Sequence, residues 1–314
     1  MKRIVLILLS LIIALGVLSG CNSAEKNSSG KINIVTTIFP IYDWTSKIAG
    51  DKADVTMLLD NGVDMHSFQP SAEDIVNVSG CDMFIYVGGE SDSWVEDALK
   101  EKVNKDMVVI NLMDVLKDDL KEEEKVEGME GAADGNENDE HIWLSLRNAE
   151  KCALAISEKL SKLDLKNKNS YEKNTDNYIN KLQQLDEKYE ETVKSSDKNT
   201  MVFADRFPFR YLADDYGLKY YAAFSGCSAE TEASFNTITF LAEKVDEYKL
   251  GAILKIETSD KKLAETVRDN TKTKNQKILT LDSMQNKTIE DVKKKVSYIS
   301  VMENNSKILK EALK

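Results

Sequence analysis

A strand–helix rhythm restricts this chain more than any other feature. Short β-branched runs alternate with amphipathic helical stretches, twice over, on either side of one long helix. Ile32–Thr37 reads as a buried strand, Ile38–Ile48 as the helix after it, and Val55–Leu59 as a second strand. Ser71–Val78 reads as a helix, with Ser71 as its cap and Glu73 and Asp74 in its first turn. Met83–Val87, Trp94–Lys105 and Met107–Leu112 continue as strand, helix and strand. This order lays crossover helices over a parallel sheet. After a helix over 148–163, residues Tyr171, Tyr178, Leu182, Leu185, Tyr189 and Val193 step by three, four or seven. That spacing draws one apolar stripe along a helix over 170–196, about 40 Å long and able to join two lobes. The rhythm then resumes, with strands at 200–203, 219–224, 252–256 and 277–281 and helices at 209–216, 235–247, 261–271 and 291–313. The expectation is a bilobal α/β protein with a cleft between its lobes.

The amino end stands outside this pattern. Lys2 and Arg3 precede an apolar run from Ile4 to Val17, and small residues lead to Cys21. Residues 1–20 therefore read as an export signal, too short for a comfortable membrane span. Leu18-Ser19-Gly20-Cys21 resembles the bacterial lipobox, which implies cleavage before Cys21 and its acylation, an anchor of several acyl chains. Residues 21–31 form a polar tether of the kind that does not order itself. The formal charge of −12, or −14 without Lys2 and Arg3, argues against nucleic acid as a partner. Cys81, Cys152 and Cys227 show no CxxC spacing, so neither a disulfide framework nor a structural zinc site is expected.

Residues 117–140 break the rhythm, with eleven acids against three lysines and glycines at 128, 131 and 135. Such a run buries too little apolar surface to order itself, and reads as a solvated loop or a mobile, low-affinity cation collector.

The chain has only two histidines, His66 and His141. Each sits beside acids where a strand gives way to a loop, and neutral imidazole is the commonest side-chain ligand for transition metals. Gly62-Val63-Asp64-Met65-His66-Ser67-Phe68-Gln69-Pro70 resembles the G-x-D-x-H-x-[FY]-x-P signature of the cluster A-I solute-binding proteins. These are the zinc- and manganese-binding lipoproteins of ABC importers. Asp139-Glu140-His141-Ile142-Trp143-Leu144 is similar to the family's D-x-H-x-W-L segment. The resemblance runs over essentially the whole chain. It implies two (β/α)4 lobes joined by one backbone helix, with the metal in the interlobe cleft. The corresponding divisions are an N-terminal lobe over 32–165, a linking helix over 166–197 and a C-terminal lobe over 198–314.

The resemblance carries two ligands onto His66 and His141. A carboxylate ligand falls on Asp282, in Leu279-Thr280-Leu281-Asp282-Ser283-Met284, with Glu257 lining the cleft. The remaining ligand position, three residues before an aromatic, falls on Arg206. A guanidinium has no lone pair to give, so Asp205, Cys227, Glu230, Glu232 and Glu257 stay open as substitutes. The implied cargo is Zn2+, alternatively Mn2+ or iron, delivered to a membrane permease by a monomer on the extracytoplasmic face. An adhesin-like surface lipoprotein is the other reading within the family. Two histidines and a carboxylate also describe a hydrolytic zinc site. The chain has no HExxH and no evident general base, so no enzymatic activity is expected.

Overall fold

The computed structural model describes residues 30–130, 137–228 and 232–314. The export signal, Cys21, the tether as far as residue 29, and Glu230 lie outside the described residues. Strands β1 (Ile32–Thr36), β2 (Ala53–Met57), β3 (Met83–Tyr86) and β4 (Val108–Asn111) form one parallel sheet in the order β2-β1-β3-β4. Strands β5 (Thr200–Phe207), β6 (Lys219–Ser225), β7 (Ala252–Ile256) and β8 (Lys277–Leu281) form a second, in the matching order β6-β5-β7-β8. In sheets wound this way, ligands gather beyond the carboxyl ends of the strands, where strand order reverses. The candidate residues follow that rule. His66 comes after β2, His141 beyond β4, Cys227 after β6, Glu257 after β7 and Asp282 after β8, while Arg206 lies near the end of β5.

The long helix spans Lys168–Lys194 and buries Tyr171, Tyr178, Leu182, Leu185 and Tyr189. Thr192 is buried at its end, while Val193 is only half-buried. This face packs on helices Phe39–Ala49 and Leu146–Leu163 and on the C-terminal helix Tyr298–Ala312. The C-terminal helix follows the second sheet yet docks against the first lobe. Tyr298 meets Trp44 edge-on at 5.2 Å and donates to Trp143 O at 2.7 Å, and Tyr189 donates to Met302 O at 2.7 Å. One apolar core therefore runs unbroken from Ile34 to Leu313, and a smaller one around Val202, Leu241 and Ile253 sits under the outer helices of the second sheet. Such shared packing favours small closing motions over wide hinge opening.

Two helices end differently from expectation. The one beginning at Trp94 stops at Lys100, because Ser79 captures the chain beyond it. Ser79 O accepts the N–H groups of Val103 and Asn104, each at 3.0 Å. The final helix is two, Ile289–Lys293 and Tyr298–Ala312. Lys295 between them takes a positive φ of 67°, and Ser297 caps the second by accepting from Ser300 N.

The described parts of the acidic segment are ordered, contrary to expectation. Glu123 N bonds Glu137 O and Asp139 N bonds Lys121 O, both at 2.8 Å, so the two arms pair with each other. Glu130 N then donates to Ala223 O at 2.8 Å, along the exposed edge of β6. Tyr211, Tyr220 and Arg210 of the second lobe hold Lys121, Glu124 and Asp139. Gly128, at φ 80°, lies on the Phe240 ring, where a Cβ would come within 2.1 Å. The segment is thus a strap laid from the first lobe onto the second, and distant partners supply the order that its own composition lacks.

Candidate metal centre

Asp64 caps the 3-10 turn Met65–Ser67, its Oδ1 accepting His66 N at 3.1 Å. Met65 and Phe68 on either side are buried, Phe68 edge-on to Trp94 at 5.9 Å, which fixes where the His66 ring can go. His66 Nδ1 lies 2.8 Å from Ser91 Oγ, and Ser91 is itself held through its N–H by Glu140 Oε1 at 2.9 Å. With Nδ1–H donating to the serine, Nε2 keeps its lone pair.

His141 is built the same way but more tightly. Asp139 Oδ1 accepts both the His141 N–H and its Nδ1, each at 2.8 Å, and the side chain is fully buried. A carboxylate oxygen can only accept, so Nδ1 carries the proton and Nε2 faces inward. The Trp143 ring lies against it at 5.2 Å, and Trp143 Nε1 donates to Ser283 O at 2.9 Å, fastening the segment of Asp282 alongside.

The two Nε2 atoms meet 3.2 Å apart. Two bare lone pairs would repel at that distance, so a proton or a cation belongs between them. Burial, helped by the charge of His141, pushes His66 down to about 4. Burial also opposes charge on His141, but Asp139 outweighs it and holds its pKa above the ordinary value. A proton shared by the pair is therefore held on His141 rather than on His66. Two nitrogens of one tetrahedral zinc lie about 3.3 Å apart, so the pair is spaced for a single ion.

Cys227 is the third group at this point. The backbone of Gly226 rests on the His141 ring, where a Cβ would lie 2.9 Å from Cε1, so glycine is needed for the approach. The next residue brings Cys227 Sγ and one nitrogen of each histidine within 4.8 Å of one another. Among the described residues this is the one group of three such donors.

A protein-family model for the zinc-uptake complex component A, periplasmic, matches residues 34–312. The chain belongs to this zinc-uptake family. It is 36% identical over 315 residues to a zinc-binding lipoprotein AdcA of Streptococcus pneumoniae, covering 99% of this chain. This chain spans only 61% of that relative's length. It is 31% identical to the high-affinity zinc uptake system protein ZnuA of Bacillus subtilis, with 93% of this chain and 92% of that protein covered. Among solved structures, the Zn(II)-bound ZnuA-like domain of S. pneumoniae AdcA superposes with a TM-score of 0.74 at 33% identity, over 90% of this chain and 99% of that one. The two-lobed α/β fold is the fold of the zinc-uptake family.

Against the zinc-uptake pattern, the carboxylates open as ligands have other partners here. Arg206 reaches across from β5 and pairs with Asp64 Oδ2 at 2.7 Å, tying the second lobe to the turn that carries His66. Asp205 is buried and accepts from Ile256 N at 3.0 Å and Ser259 Oγ at 2.8 Å, joining β5 to the end of β7. Glu257 accepts from Ser283 N at 2.7 Å and Ser283 Oγ at 2.9 Å, and burial beside Asp282 raises its pKa. Asp282 is not brought to the histidines in this structure: Oδ1 accepts from Met284 N at 2.9 Å and Oδ2 pairs with Lys287 at 2.7 Å. Glu232 is exposed. The sequence pointed to the acids beside each histidine as groups that fix its tautomer, which Asp139 does, but gave no sign of Ser91. For the two aspartates the signal was present, since each precedes its histidine by two residues.

Proposed function

We propose that this protein is an extracytoplasmic receptor that captures zinc in the cleft and delivers it to an ABC permease. It carries out no chemistry on its cargo. The reading rests on one observation, the buried imidazole of His141 and the half-buried one of His66, whose Nε2 atoms face each other at 3.2 Å with their Nδ1 atoms held by Asp139 and Ser91. Nitrogen donors at this spacing suit zinc better than manganese, which favours carboxylates and water. His66 and His141 are the first two ligands. Asp282 is proposed to join them by exchanging Lys287 for the cation, since Ser283 is already moored to Trp143 beside His141. Acyl chains on Cys21, after removal of residues 1–20, are proposed to hold the protein at the membrane.

Calorimetric titration of the metal-stripped mature chain with Zn2+ and Mn2+, repeated on His141→Ala, tests this reading. Tight one-to-one zinc binding that is lost in the variant is expected. Tighter manganese than zinc binding would overturn the choice of cargo, and no binding of either would overturn the reading itself.

A further inference from the structure

The loop after β6 has no evident reason to crowd His141 unless it brings something to the metal. Its glycine at 226 permits the approach, and the residue it delivers beside the two imidazoles is Cys227, in reduced form. Cys81 and Cys152, in contrast, are fully buried in the apolar core and reach no such group. Arg206, at the position where the second lobe was expected to offer a ligand, is spent on Asp64 and has no lone pair.

We propose that Cys227 supplies the second lobe's donor, as a thiolate, so that zinc is held by a nitrogen–nitrogen–sulfur set to which Asp282 adds oxygen. This rests on the metal-capture reading above and names the ligand that sets its specificity. The Sγ–H bond breaks as the Zn–S bond forms, and the proton leaves to solvent. No electrons are transferred. In a tetrahedral zinc site an N···S edge is about 3.6 Å, so the present spread of up to 4.8 Å closes by roughly an ångström on loading. A thiolate selects zinc and cadmium over manganese, because manganese prefers hard oxygen donors.

Cobalt(II) replacement is the test, on the mature protein carrying Cys21→Ser so that Cys227 is the one partly exposed thiol. A sulfur-to-cobalt charge-transfer band in the near ultraviolet is expected, and it disappears in Cys227→Ser while cobalt still binds. Zinc affinity in that variant should fall by more than the about 10–100-fold typical of losing a supporting residue. Weak manganese binding should not change. Cys227→Asp should recover much of the zinc affinity without the band, which separates loss of a ligand from loss of the fold. Cobalt bound by the Cys21→Ser protein without the band, or a band surviving in Cys227→Ser, would overturn the thiolate while leaving metal capture intact. Failure of Cys21→Ser to bind either zinc or cobalt would overturn both.

Discussion

The two Asp-x-His turns are made from the same three-residue device and present their imidazoles in different ways. In each, the aspartate Oδ1 accepts the backbone N–H of the histidine two residues on, at 3.1 Å for Asp64 and 2.8 Å for Asp139. Asp139 also takes the ring Nδ1 and is itself 3% exposed, so His141 is clamped, raised in basicity and shut away from water. Asp64 leaves the ring of His66 to Ser91 and turns its other oxygen across the cleft to Arg206. One turn is a fixed wall of the site. The other answers to the second lobe, and its carboxylate is held below the ordinary range by Arg206 and His66, against burial, which is the largest single influence on it. The same motif thus yields one proposed ligand clamped within its own turn and another whose turn is tied to the second lobe.

Removing the wall should have the largest effect. Structural zinc sites bind with about 10–16 kcal/mol in all, so one of four ligands carries roughly 3 kcal/mol. His141→Ala should therefore weaken zinc at least about a hundredfold by calorimetry. Protons compete next. Because His141 is raised above its ordinary 6.5, zinc binding should release one more proton as pH falls through its raised value. A further proton, from His66, should appear only near pH 4. Titrations in buffers of different ionisation enthalpy measure this release, and no added proton before pH 4 would show that Asp139 does not raise His141.

Asp139→Asn should cost about 10–100-fold in zinc affinity, as expected for a group that fixes a ligand's tautomer. Asp64→Asn should cost less than Asp139→Asn, because it touches no ring nitrogen at hydrogen-bond distance, and its effect should shrink in an Arg206→Met background. Equal losses in the two aspartate variants would erase the distinction. Smallest of all, Ser91→Ala removes one neutral hydrogen bond worth about 1 kcal/mol, which lowers affinity about fivefold.

Much of the fold was legible because it follows from local periodicity. Both sheets, the long helix and the placing of His66 after a strand could be read from spacing and motif, whereas His141 lies past a short helix and the strap rather than at a strand end. What escaped depends on partners far away in the chain. Arg206 was recognised as a poor ligand, but its role needed Asp64, 142 residues distant. Lys121 and Tyr211, 90 residues apart, meet where composition alone argued for disorder. Cys227 stood among several substitutes, and the fold gives it precedence by laying Gly226 on His141 and bringing Sγ within 4.8 Å of both imidazoles. The break at Lys295 was hidden because the apolar spacing of 291–313 continues across it.

The return of the last helix to the first lobe also sets an order of assembly. Tyr298 is bound to Trp143, whose ring lies on His141, so a residue that braces the pocket is synthesised 155 residues after the one it holds. A chain threaded amino-end first through an export channel would bring both histidines across well before their support arrives. The proposed capture should therefore wait until Tyr298 has followed, which keeps cargo from stiffening a polypeptide whose second lobe is still in transit.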